Sequence, residues 1–146
     1  MKPNARQIVA YAHEDALVIE VLCQHLNDYD KAAELRDEIL AAMQRAQSVR
    51  VILDLRNLEL LTSVALFPFI EIRAEAEREG RRIVLCNVAT PVAQALTISQ
   101  LIVENRAHAR HLVLTEDIPA ALEWLSSGDT ATRHGPGLTD SISQSA

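Results

Sequence analysis

Two adjacent hydroxyls, Thr62 and Ser63, stand where an apolar run passes through a short turn into an amphipathic one, within residues 51–67 (VILDLRNLELLTSVALF). At a helix start the first backbone N–H groups are unpaired and the helix dipole is positive. The pair therefore suits a cap, a bound anion or a covalently attached phosphate. A cap explains one hydroxyl and less readily two. A phosphate on Ser63 would add roughly two negative charges to a small surface, enough to abolish docking of a partner without unfolding the domain.

Other candidates for chemistry are thin. No base stands next to Ser63 in the sequence, so no catalytic residue is assigned and no enzyme is expected. His108 and His111 have an i, i+3 spacing, but no carboxylate or third ligand accompanies them, and no metal site is expected. His13 and His25 read as solvated loop residues, and His134 lies in the tail. Of four glycines, three are in the tail and the fourth is Gly80, so there is no phosphate-cradling loop and no cofactor is expected. Asp54 ends an apolar run, as a ligand-binding carboxylate of a parallel sheet does. The later strand end, Leu85-Cys86-Asn87, lacks the Lys a phospho-receiver would need, which leaves Asp54 as a loop-stabilising acid.

The elements that must position these residues follow from patterning. Residues 7–11 and 16–23 are short, β-branched and separated by His13-Glu14-Asp15, which predicts a hairpin. Asp30 is a candidate N-cap for an amphipathic helix to about residue 46, and residues 49–55 make a nearly apolar strand. A second helix is expected from about Ser63 to Glu79, stopped by Gly80, with Pro68 beyond its first turn bending it. Phe67 and Phe69 beside that proline suit either core packing or a small apolar contact surface. A strand at 82–86, a helix capped by Thr90 with Pro91 in its first turn, a strand at 111–115 and an Asp117-capped helix at 118–125, anchored by Trp124, complete the pattern.

Strand and crossover helix in alternation imply an α/β fold: one mixed sheet of about four to five strands, an N-terminal hairpin plus a parallel core, and about four helices. The 146 residues suit one domain, placed at 1–126. Residues 127–146, rich in Ser, Thr, Gly, Asp and Pro, are expected to be a disordered tail. The net charge of −6 argues against nucleic acid as a partner, and Arg81-Arg82 reads as a solvated edge. Cys23 and Cys86 fall in or beside apolar runs and have no metal or redox spacing. With no signal-like start and no apolar run near the ~20 residues of a span, a cytoplasmic, soluble protein is expected, with no membrane insertion.

The run Asp54-Leu-Arg-Asn-Leu-Glu-Leu-Leu-Thr-Ser-Val-Ala-Leu66, then a helix, Gly80, Arg82-Ile-Val-Leu-Cys-Asn87 and a Pro-led helix, resembles the STAS domains, the bacterial anti-sigma-factor antagonists and their relatives. The resemblance covers residues 7–125. The family's turn commonly reads Asp-Ser-Ser or Thr-Gly-Leu, and its first Ser accepts phosphate. Counting from Asp54, Thr62 stands at the family's Asp, Ser63 at the phosphorylated Ser, Val64 at the second hydroxyl and Ala65 at the Gly. The resemblance implies docking of an anti-sigma factor that is also a serine kinase, through Thr62, Ser63, Val64, Ala65 and Phe67, and release on phosphorylation of Ser63. Two alternatives stay open: a scaffold subunit of a lipid-transport or stressosome-like assembly with Ser63 only a cap, and a small-molecule or nucleotide-binding module. A homodimer is open as well.

Overall fold

The computed structural model describes residues 6–98 and 113–134, of which residue 98 and residues 127–134 are described by backbone alone. In chain order the elements are β1 (Ile8–His13), β2 (Ala16–Val21), β3 (His25–Leu26), α1 (Tyr29–Ala46), β4 (Arg50–Asp54), β5 (Leu60–Leu61), a 3-10 turn (Ser63–Ala65), α2 (Leu66–Arg78), β6 (Arg82–Cys86), α3 (Thr90–Ile98), β7 (Val113–Thr115) and α4 (Ile118–His134). The main sheet has five strands in the order β1-β2-β4-β6-β7, with β1 antiparallel to β2 and every other neighbour parallel. This is the expected α/β architecture, hairpin and parallel core included.

Alternation along the central strands creates two cores. Val51 and Leu53 of β4, with Ile19 and Val21 of β2, face Leu35, Ile39 and Met43 of α1 and Phe69, Ile72 and Ala76 of α2. Ile52, Val18, Val84 and Cys86 face the other way, toward Ala121 and Leu125 of α4. A strand covered on both faces has no polar side to show, which is why β4 reads as a continuous apolar run.

Several local expectations are corrected. Asp28, not Asp30, caps α1: its backbone is extended (φ −136°) and its carboxylate accepts from the Asp30 N–H at 3.0 Å. Ser63 does not begin an α-helix; it begins the 3-10 turn, and α2 starts at Leu66. Pro68 is thus the third residue of α2, where the missing N–H had no helical acceptor, so it costs the helix no hydrogen bond. Thr90 is the first residue of α3 rather than the residue before it. Arg81 and Arg82 are not a solvated edge: Arg81 pairs with Glu79 at 2.7 Å and donates to the Ser48 carbonyl, while Arg82 lies 4.6 Å from the Trp124 ring centre and donates to the Leu125 carbonyl at 2.8 Å. His13 belongs to β1 and His25 to β3 rather than to loops, although both are exposed.

Gly80 does stop α2. At φ +74° it turns the chain so that its own N–H reaches the Glu77 carbonyl at 3.1 Å and that of Arg81 reaches Ala76 at 2.8 Å, a Schellman closure. Helix α4 continues to His134, past the expected end at residue 125, and the expected tail beyond it, residues 135–146, lies outside the described residues. His108 and His111 lie outside them too, and β7 is described from Val113.

Candidate functional site

The segment from Leu55 to Thr62 leaves the carboxyl end of β4 and must return to start α2. Its interior is filled by Leu55 and Leu58, both fully buried. Its backbone is pinned to the segment preceding α1: the N–H groups of Glu59 and Leu60 donate to the Gln24 carbonyl at 2.7 and 3.2 Å, and that of Thr62 donates to the Leu26 carbonyl at 3.0 Å. These bonds form a miniature parallel ladder in which β3 pairs with β5, His25 opposite Leu60 and Leu26 opposite Leu61. Asn57 adds a side-chain tie, donating to Glu20 and to the Val21 carbonyl, each at 3.0 Å.

Beneath this loop Asp54 is a buried carboxylate with a full set of donors. One oxygen accepts from the Arg56 N–H at 3.1 Å and from Asn87 Nδ2 at 2.9 Å; the other accepts from Arg56 Nε at 2.9 Å and Nη2 at 2.7 Å. Asn87 reaches it from a left-handed backbone (φ +56°) and so ties the end of β6 to the end of β4. The geometry is that of the expected loop-stabilising acid: no lone pair is left over for a ligand. Among the described residues no cluster of His, Cys, Asp and Glu could hold a metal ion.

The turn itself divides the expected site residues by exposure. Thr62 is half-buried, with its hydroxyl 3.4 Å from the Leu26 carbonyl and no capping bond to the turn. Ala65 is fully buried and sits under the turn, its N–H bonded to the Thr62 carbonyl at 3.0 Å. Ser63 is exposed, with Val64 50% and Phe67 61% exposed around it. The structure therefore gathers Ser63, Val64 and Phe67 into one surface knob and places Thr62 and Ala65 beneath it. Leu60, 40% exposed in β5, precedes this turn and was not among the expected residues. A two-residue strand has no period from which to find it.

Neither hydroxyl works as a cap, so that reading of the pair is corrected. The N–H groups of Ala65 and Leu66 are already bonded to the Thr62 and Ser63 carbonyls, which narrows the expected anion seat to the first two residues of the turn. Ser63 forms no side-chain hydrogen bond with any described residue, so no local base activates it. Its exposed hydroxyl can accept a group from an external enzyme, or touch a partner.

Cys86, beside Asp54 in the sheet, has its thiol pushed up to about 12 by burial and, secondarily, by the Asp54 charge; burial raises Cys23 as well. The reactive species is the thiolate. At pH 8 an alkylating reagent is expected to leave Cys86 unmodified in the folded protein and to modify it once urea unfolds the chain, read by peptide mass mapping. Labelling of native Cys86 at the rate of an unfolded thiol would contradict the buried placement.

Among the described residues no helix is long and apolar enough to cross a membrane. No curated protein matches the sequence. Solved structures do match the fold. A Moorella thermoacetica RsbS variant superposes with a TM-score of 0.66 at 17% identity, covering 86% of this chain and all of its own. The anti-sigma factor antagonist SpoIIAA in its unphosphorylated form gives 0.61 at 16% identity, over 82% of this chain and 96% of that one. A sulfate transporter family protein from Wolinella succinogenes gives 0.62 at 16% identity, over 83% and 93%. At such identities these three share the fold alone. The sequence itself matches a family model described as Mlab, STAS domain, over residues 27–103, more than half its length and through the whole Ser63 turn, and the chain belongs to the STAS domain family.

Proposed function

We propose that this STAS domain is a non-enzymatic protein-interaction module of the cytoplasm that docks an anti-sigma factor with serine-kinase activity through the Ser63 turn and the start of α2, and is released when Ser63 is phosphorylated. The observation that carries this reading is the knob: one exposed hydroxyl with no partner among the described residues, flanked by two apolar side chains, Val64 and Phe67, that the core leaves outside. Apolar side chains at the centre of a contact supply the affinity. A dianion placed among them would have to be desolvated without a cation to meet it. Mass spectrometry of the protein from its own cells is expected to map phosphate to Ser63. Ser63→Ala is expected to keep the partner, and Ser63→Asp to weaken it by about tenfold or more. A fully unmodified Ser63 across growth conditions, together with a Ser63→Asp variant that binds as well as the wild type, would refute the switch.

A second reading is favoured by the family description and by the turn's own residues, Thr62 and Ala65 in place of the Asp and Gly of the phosphorylated relatives. In it the same knob anchors the domain in a larger assembly, of lipid-transport or stressosome type, with no switch. Phe67→Asp then abolishes assembly while Ser63→Asp leaves it intact.

A further inference from the structure

The β1 edge of the sheet carries a different surface. β1 is an edge strand of six residues, Ile8–His13, uncharged and free of proline. Natural edges are ordinarily blunted by Lys, Pro, a bulge or a short strand, and this one has none of those devices. The direct pair of Leu22 with Gln7, whose N–H to carbonyl bond is 2.8 Å, sets the alternation of the ladder. In the register Val9 opposite Glu20 and Tyr11 opposite Val18, the hydrogen-bonding groups of Val9, Tyr11 and His13 are turned to β2. Those of Ile8, Ala10 and Ala12 are turned outward, to an edge that no strand among the described residues covers.

We propose that this edge pairs with β1 of a second copy, antiparallel about a two-fold axis through Ala10, making one continuous ten-stranded sheet. The strand is complementary to itself in three respects. Ile8 meets Ala12 of the second copy and Ala10 meets Ala10, so every outward backbone group finds a partner, which no other register achieves. Val9 meets Tyr11 twice, and these are the side chains of β1 that stand 42% and 41% exposed on the sheet face; a β-branched residue opposite an aromatic is a favourable cross-strand pair. Arg6, before β1, and Glu14, the first turn residue after it (φ +57°), are brought near one another at each end of the seam, again twice. Both are exposed and neither has an ion-pair partner within the chain among the described residues. The surface is isologous, as a two-fold contact requires. It lies along β1, two strands from β4, whose carboxyl end leads to the Ser63 turn, and shares no residue with the knob, so it stands or falls independently of the docking function proposed for Ser63.

Sedimentation velocity on the full chain is the test. The expected species is a dimer of twice the 16.1 kDa chain mass, dissociating on dilution. Arg6→Glu and Glu14→Arg are each expected to weaken it about tenfold, because each puts like charges near one another at two symmetric positions, and the double variant R6E/E14R is expected to restore it. Ala10→Pro removes the donor on the two-fold, at a position whose N–H does not serve β2, and is expected to leave a folded monomer. If that variant fails to fold, the charge reversals decide. A wild type that is monomeric up to ~100 μM, or a dimer whose dissociation constant none of these changes moves, would overturn the proposal.

Discussion

Phe69→Ala is expected to lower the unfolding free energy by about 3–5 kcal/mol, and Phe67→Ala to change it by less than about 0.5 kcal/mol, although the two side chains are two residues apart on one helix. Phe69 is 1% exposed and packs among Ile72, Leu53 and the α1 side chains; Phe67 is 61% exposed. Residues at i and i+2 of a helix point to nearly opposite sides, so burying one puts the other outside. Urea unfolding followed by the single Trp124 measures both costs. The effects on binding should run the other way, with Phe67→Ala losing the partner at unchanged stability. Equal destabilisation by the two substitutions would mean that Phe67 belongs to the core, and the knob would have to be abandoned as a docking surface.

Asp54→Ala should be nearly as costly, at about 2–3 kcal/mol, or roughly 10 °C in melting temperature for a domain of this size. The carboxylate is 1% exposed, and its removal strands the Arg56 N–H and the Asn87 amide. Arg56, with its side chain 52% exposed, recovers water, which keeps the cost below that of a fully buried ion pair. Asp54→Asn should recover part of the loss, since its carbonyl oxygen still accepts one of the donors. The Leu55–Thr62 segment should show the change first, as faster amide exchange at Glu59 and Thr62. A Tm within a degree or two of the wild type would show that the four donors add nothing to stability.

Much of the architecture was legible because its signals are local. β-branched runs such as residues 16–21 and 82–86 mark buried strands, and a glycine followed by a basic strand marks a helix end. What was illegible depends on partners distant in the chain. Nothing near Arg82 announces Trp124, and nothing in Leu60-Leu61 announces a ladder with His25-Leu26, because two residues carry no period. The cap of α1 was misplaced by two positions because Asp28 and Asp30 are chemically alike; only the extended backbone at Asp28 separates them. Within the candidate site, Ser63 was singled out by residue type, and the structure shows only that it is exposed. The division of Val64 and Phe67 from Ala65 was hidden by the 3-10 turn, which offsets the helical phase from which faces are read.

The ladder between β3 and β5 bears on how fast and how tightly a partner can engage. A knob on a floppy loop would have to be ordered on binding, at a cost of about 1–2 kcal/mol per residue. Here the backbone of residues 59–62 is already bonded to residues 24–26, so that entropy is lost at folding rather than at encounter. Preorganised surfaces of this kind associate without a conformational step, and differences in affinity among their partners fall mainly on the dissociation rate. Under the docking proposed above, the lifetime of a complex on the Ser63 turn would be set by Val64, Phe67 and the charge on the hydroxyl, while the rate at which partners find it would stay nearly constant.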